Sequence, residues 1–218
     1  MILPMELVRP MAAQSILQPF ALPGSILNPI LDSFHGEEVI FKSGGKDCPK
    51  ALLDRQRLIS VDYLGFDGSY HRGQIVIHKD LVQDVLEIFS AIRKLRFPLQ
   101  SVIPIGDRRF SAEGDSVDEC SMTMNNSSGF HYRTKTGKKD LSRHALGLAM
   151  DLNPRLNPYM KAGEILPKNG IYCPHRPGTL HRNHPLVHEF KRLGWTWGGD
   201  WISLKDFQHF EKPLNPLS

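Results

Sequence analysis

Cysteine is scarce: Cys48, Cys120 and Cys173 are the only three in 218 residues, and none forms a Cys-x-x-Cys pair. That count excludes a disulfide framework and a structural zinc knuckle, allows one bridge at most, and leaves buried or idle thiols as the expectation. Long apolar runs are missing as well. Nothing approaches the roughly 20 apolar residues of a membrane helix, so no membrane span is expected. The N-terminal apolar pieces are broken by Pro4, Glu6, Arg9, Pro10, Gln14, Gln18, Pro19 and Pro23, and no clear signal peptide is legible. Charge of one sign is not concentrated either. The formal net charge of +4 suits an anionic polymer, but without dense basic clusters no nucleic-acid partner is expected. With 40% hydrophobic and 23% charged residues the chain lies far from the composition of disorder, so it should fold.

The length suits one catalytic domain with an added arm, working as a monomer. Residues 1–53 are proline-rich with no sustained period and read as an extended N-terminal arm packed on the domain, and residues 54–218 read as the domain. Leu58 to Tyr63 and Gln74 to His78 are strand-like and flank the turn signal Gly65-Phe66-Asp67-Gly68-Ser69, which predicts a hairpin. Asp80 is placed to cap a helix carrying Val82, Val85, Leu86, Phe89, Ile92 and Leu95 as a core stripe, ending before Phe97-Pro98. Ser101 to Ile105 reads as a short buried strand. Residues 106–147 then read as a long polar loop of the kind that carries function. Leu148 to Leu152 reads as a strand, 153–183 as a long connection, and Pro185 to Leu193 as a helix ended by Gly194. The aromatic tail from Trp195 to Phe210 suggests the last strands of an antiparallel sheet.

Chemistry concentrates in Ser142-Arg143-His144-Ala145-Leu146-Gly147-Leu148-Ala149-Met150-Asp151 and, far downstream, Asp206-Phe207-Gln208-His209-Phe210. Together they offer two imidazoles, one carboxylate ligand and one spare carboxylate. A catalytic zinc takes three such protein ligands and keeps a fourth position open. His144 and Asp151 would face opposite ways along a straight strand, and Gly147 supplies the bend that brings them together. One carboxylate ligand leaves the site a net charge of about +1, which helps lower the pKa of bound water to roughly 7. Asp206 is then placed to take the water's proton and pass it to a leaving amine.

Three runs in order resemble the zinc D-alanyl-D-alanine carboxypeptidase and L-alanyl-D-glutamate endopeptidase family. They are Ser121 to Arg133 with Asn125-Asn126-Ser127-Ser128-Gly129 inside it, Ser142 to Tyr159, and Gly194 to Trp201 with Asp206 to Phe210. The resemblance covers about residues 56–212. It implies an α+β fold of the hedgehog/DD-peptidase type: a small antiparallel sheet with helices packed against it and zinc at the sheet face. Carried over by position, it implies Zn2+ held by His144, Asp151 and His209, Asp206 as general base, and Arg133 as the group that stabilises the oxyanion. A guanidinium, permanently charged and forked, suits that last role. Ser142, Asn126 and Ser127 are expected to support the ligands or touch the substrate, and Asp200 to orient a ligand histidine. Many relatives have Thr-Ser-Ala-Phe-Asn where this chain has Ser127-Ser128-Gly129-Phe130-His131, and some use glutamate where Asp206 stands.

Other residues invite blander readings. His175, His181, His184 and His188 read as solvated or capping histidines more than an accessory metal site. Trp195, Trp197 and Trp201 read as packing beneath the site, and Lys135, Lys138 and Lys139 as a solvated loop. The implied function is hydrolysis of peptidoglycan stem peptides in the cell wall, periplasmic or extracellular if the chain is exported. A non-catalytic zinc-binding module of the hedgehog type is the competing class, disfavoured by the presence of both Asp206 and Arg133. Removal of a terminal D-Ala requires a cation for the free carboxylate. Arg133 is the only basic residue that a motif places there, so cleavage between L-Ala and D-Glu is the expected specificity, with D-alanyl-D-alanine carboxypeptidase action as the alternative.

Overall fold

The computed structural model describes residues 22, 24–111, 116–135 and 140–214, which form a mixed α+β structure of short strands and helices. In chain order the elements are β1 (Ile30–Leu31), α1 (Glu38–Gly44), α2 (Lys50–Leu53), β2 (Gln56–Leu64), β3 (Tyr70–His78), α3 (Val82–Lys94), β4 (Ser101–Val102), α4 (Val117–Thr123) and β5 (Asn126–Ser127). They continue with β6 (Ala149–Asp151), β7 (Tyr159–Lys161), β8 (Glu164–Leu166), α5 (Pro185–Arg192), β9 (Thr196–Trp197), β10 (Lys205–Asp206) and β11 (His209–Glu211). Where one small sheet was expected, the strands divide into several: β1-β3-β2, β6-β11-β9, β10-β7-β8 and the pair β4-β5. Only β1 on β3 and β4 on β5 run parallel among these.

The β2–β3 hairpin is longer than its sequence signal, pairing Leu64 with Tyr70 at the turn and Gln56 with His78 at the far end. Asp67 closes the turn by accepting the Ser69 N–H at 2.9 Å, and Gly68 takes φ 81°, which glycine adopts without steric cost. Helix α3 packs on β2 and α5. Its buried stripe is Val85, Ile88, Phe89 and Ile92, each side chain worth roughly 1.5–3 kcal/mol when fully buried. Leu86 and Leu95, expected in that stripe, are 43% and 42% exposed, because the helix is turned so that Ile88 faces inward instead. Nor does Asp80 cap the helix. The His78 ring accepts the Asp80 N–H at 3.3 Å and starts a single 3-10 turn, Lys79–Leu81, that leads into α3.

The segment expected to be an extended arm is built into the structure from Gly24 onward, the Gly24 carbonyl accepting the Tyr70 N–H at 2.6 Å. β1 extends the hairpin sheet, and Val39, Ile40, Cys48 and Leu53 from α1, α2 and their link pack with Val76 and Phe130 in a second small core. Residues 1–21 and 23 of that arm lie outside the described part. The polar loop 106–147 contains α4 and β5, and the connection 153–183 contains the β7–β8 hairpin turning at Ala162-Gly163, both at positive φ. Elements of two to seven residues are too short to display a period, which is why pattern alone missed them. The principal core joins α3, α5, the β2–β3 hairpin and the β6-β11-β9 sheet, with Phe190 stacked on Phe210 at 3.6 Å between ring centroids. That core is the floor beneath the candidate site.

Candidate metal centre

The register of β6 and β11 sets Asp151 directly opposite His209. Opposite residues of an antiparallel pair project from the same face, so the two side chains emerge together while Met150 and Phe210 turn into the core at 0% exposure. His144 reaches the same point from the 3-10 turn Arg143–Leu146. Ser142 caps that turn, its Oγ accepting the His144 N–H at 3.3 Å, and Gly147 ends it at φ 66°. This left-handed residue is the bend that lets His144 and Asp151 face each other. A Cβ here would run into the Gln56 side chain and come within 2.8 Å of the His78 nitrogen, so glycine is required twice over.

Three donor atoms converge. His144 Nε2 lies 3.2 Å from Asp151 Oδ1 and 3.1 Å from His209 Nδ1, and His209 Nδ1 lies 3.1 Å from Asp151 Oδ1. All three residues are buried. Lone pairs aimed at one another in a dry site repel unless a proton or a cation sits among them. The donor separations are close to the roughly 3.3 Å between neighbouring ligands of a tetrahedral zinc with bonds of about 2.0 Å. Two imidazoles and one carboxylate therefore fit such an ion in chemistry and in spacing.

The far side of each imidazole is also held. His144 Nδ1 meets the Gly129 carbonyl at 2.7 Å, which makes Nδ1–H the donor and turns the Nε2 lone pair toward the cluster. His209 Nε2 meets Glu211 Oε2 at 3.0 Å, leaving Nδ1 as its ligand atom. Burial opposes charge on His209, but the hydrogen bonds of Asp151 and Glu211 outweigh it and push the imidazole up to about 10. Asp151, although burial works against its charge, is held well below the usual carboxylate range by His144 and His209. Asp206, on β10, lines the same cavity as the cluster. Burial, more than Asp151's repulsion, pushes its carboxyl up to about 6 against the pull of His209, and its Oδ1 is buried without a hydrogen-bond partner. An orphaned buried acceptor costs stability unless something is meant to bind it.

A cavity of about 470 Å³ opens over these groups, and Arg133 lines it beside Asp118, whose Oδ2 lies 3.1 Å from Arg133 Nε. Asp118 is pulled below its usual range, its burial outweighed by His131 and by the charge of Arg133. Lys135, Arg143 and Lys161 border the same space. Arg143 is committed to the carbonyls of Lys212 and Leu214, whereas Lys135 and Lys161 form no ion pair among the described residues. Trp201 stands at the wall, its ring 5.5 Å from that of His209. Trp195 and Trp197 are core residues at 2% exposure, as the packing reading has it.

The remaining predicted residues separate into scaffold and surface. Asn126 is 1% exposed, bonding Ile103 through its carbonyl oxygen and Ile103 and Ser121 through its amide nitrogen. Ser127 Oγ accepts the Asn153 N–H at 3.1 Å. Neither lines the cavity. The neighbouring Ser128 exchanges two backbone hydrogen bonds with Asp151, at 2.9 and 3.1 Å, so this motif braces the strand that carries the ligand. Asp200 requires correction. It pairs with Lys191 at 2.6 Å and Arg182 at 3.4 Å, because the turn Gly198–Asp200 faces it toward α5, and it orients no ligand histidine. Glu211 holds that place instead. Its signal was available, since two residues beyond His209 on a strand is the same face. Asp118 had none, lying on a separate helix. His184 caps α5 by accepting the Leu186 N–H at 3.1 Å, and burial with the charges of His181 and His188 pushes it down to about 4. Among the described residues, the group that converges for a metal is His144, Asp151 and His209. The cysteines are free, and Lys138 and Lys139 lie outside the described residues.

Two imidazoles, a carboxylate and a spare buried carboxylate on one cavity are the equipment of a metal-dependent hydrolase. Residues 136–212 match a family model described as D-alanyl-D-alanine carboxypeptidase. That match supports the family resemblance carried by the motifs and, with it, a peptidase; it contains the three converging residues, Asp206 and Glu211, while Arg133 and Asp118 precede it. No curated protein and no solved structure matches the chain.

Proposed function

We propose that this chain is a zinc metallopeptidase of hedgehog/DD-peptidase architecture that removes terminal D-alanine from peptidoglycan stem peptides in the cell wall. The observation that carries the reading is the convergence of His144, Asp151 and His209 on one cavity with Asp206, whose Oδ1 is buried without a hydrogen-bond partner. His144 Nε2, Asp151 Oδ1 and His209 Nδ1 would hold the zinc, which when bound supplies Lewis-acid polarisation of the scissile carbonyl and of water. Asp206 takes the proton of the attacking water and returns it to the leaving amine. A carboxyl raised toward neutrality by burial is matched to both halves of that task. Arg133 donates to the negative charge that develops on the carbonyl oxygen. A non-catalytic module would have no use for a buried carboxylate oxygen left without a partner.

Endopeptidase cleavage between L-Ala and D-Glu was favoured on the premise that Arg133 is the lone cation beside the metal. Lys135 and Lys161 border the cavity too and are uncommitted, so a free terminal carboxylate has charged partners while Arg133 serves the oxyanion. Digestion of purified muropeptides, with fragments weighed by mass spectrometry, tests the specificity. Loss of one D-alanine from pentapeptide stems is the expected result, and cleavage of the L-Ala–D-Glu bond with the D-Ala terminus intact would return the endopeptidase reading to first place.

A further inference from the structure

Arg133 is a long side chain, and a long side chain aims a charge only if something holds its stem. Its guanidinium has two protein contacts: Nε lies 3.1 Å from Asp118 Oδ2, an ion pair without hydrogen-bond geometry, and Nη1 donates to the Thr134 carbonyl at 3.3 Å. Nη2 has no protein partner among the described residues, in a residue that lines the cavity. Asp118 is fixed in turn. It belongs to α4, whose first turn is capped by Ser116 Oγ accepting the Glu119 N–H at 3.1 Å. Ser121 of the same helix accepts from the buried Asn126 amide at 3.0 Å, which ties α4 to β5. His131 Nδ1, 3.4 Å from Asp118 Oδ1, flanks the carboxylate from the other side. His131 is also the position at which this chain departs from the asparagine of many relatives.

We infer that Asp118 is a positioning residue for the reaction: its ion pair at Nε holds the Arg133 guanidinium in place, so that Nη2, which has no protein partner among the described residues, stays at the cavity for the substrate. Asp118 acts through Arg133 and touches no reacting atom. The inference rests on the peptidase reading above and extends it to a residue outside both the motif runs and the matched family segment. Loss of the clamp leaves the cation in place but free to wander, and a displacement of about 1 Å can cost on the order of 100-fold in rate.

Two measurements on the full zinc-loaded chain test this. The first needs no activity: the Nε–H signal of Arg133 in 15N-arginine NMR, assigned by its loss in Arg133→Lys, is expected to move and to exchange faster with water in Asp118→Asn. An unchanged signal overturns the clamp. The second is kinetic, with release of D-alanine from a stem pentapeptide. Asp118→Asn is expected to lower kcat about 10- to 100-fold with KM and zinc content near the parent's, Asp118→Glu to recover part of it, and Asp118→Asn to add nothing in an Arg133→Lys background. Equal losses with and without Arg133 overturn the inference, because they mean that Asp118 acts elsewhere. Should Asp118→Asn fail to fold, Asp118→Glu carries the same reading: a moved Arg133 Nε–H signal with a lowered kcat supports the clamp, and an unchanged signal overturns it. A parent that releases no D-alanine and cuts no stem peptide defeats the peptidase reading, while the NMR result judges the clamp independently.

Discussion

Replacing Glu211 tests how the metal centre is braced. Its carboxylate meets His209 Nε2 at 3.0 Å, and this contact makes Nδ1 the atom turned toward Asp151 and His144. A partner of this kind fixes ring orientation and raises ligand basicity, and its loss typically costs 10- to 100-fold in metal affinity, or about 1.4–2.7 kcal/mol. Glu211→Gln keeps the shape and one acceptor oxygen but removes the charge, so it belongs near the tenfold end. Glu211→Ala removes both and belongs near 100-fold. The hydrogen bond to His209 holds the Glu211 carboxyl below its usual range, so the brace is ionised at neutral pH. Competition against a chelator of known zinc affinity reads these values directly, with circular dichroism confirming that each variant folds. Folded Gln and Ala variants that both bind zinc as tightly as the parent would refute the reasoning.

Asp206→Asn separates the base from the ligands: zinc content should match the parent while kcat falls about 10²- to 10⁴-fold, and an unchanged rate in the stem-peptide assay removes Asp206 from the chemistry. Gly147→Ala should destabilise the fold by roughly 2–4 kcal/mol, from left-handed strain together with contact against Gln56 and His78, and should lower zinc content as well. A denaturant midpoint equal to the parent's would show that the bend tolerates a side chain.

Legibility in the sequence followed element length. The nine-residue strands of the β2–β3 hairpin and the thirteen-residue α3 were evident because several periods repeat within each. Helix α4, with seven residues, and the three-residue strands β7 and β8 lie in polar or proline-rich surroundings where no period develops. The converging residues were legible as types and spacings, Gly147 included, since the need for a bend follows from strand geometry. What supports them was not. Asp118 reaches Arg133 across a separate helix, and Lys161 arrives on a hairpin that pattern alone did not reveal. Asp200 misled through its neighbourhood: it sits inside an aromatic motif beside the site, but local turn geometry delivers it to Lys191. Glu211 was overlooked for the opposite reason, its face on the strand being plain from its distance to His209.

The most direct test is the zinc-to-protein ratio of the purified chain, measured by mass spectrometry of the metal beside His144→Ala, Asp151→Ala and His209→Ala. One zinc per chain in the parent and a clear loss in each variant is the predicted result, because a three-ligand site loses much of its affinity with any ligand gone. Full retention of zinc in all three variants would contradict the assignment of the metal to this cluster.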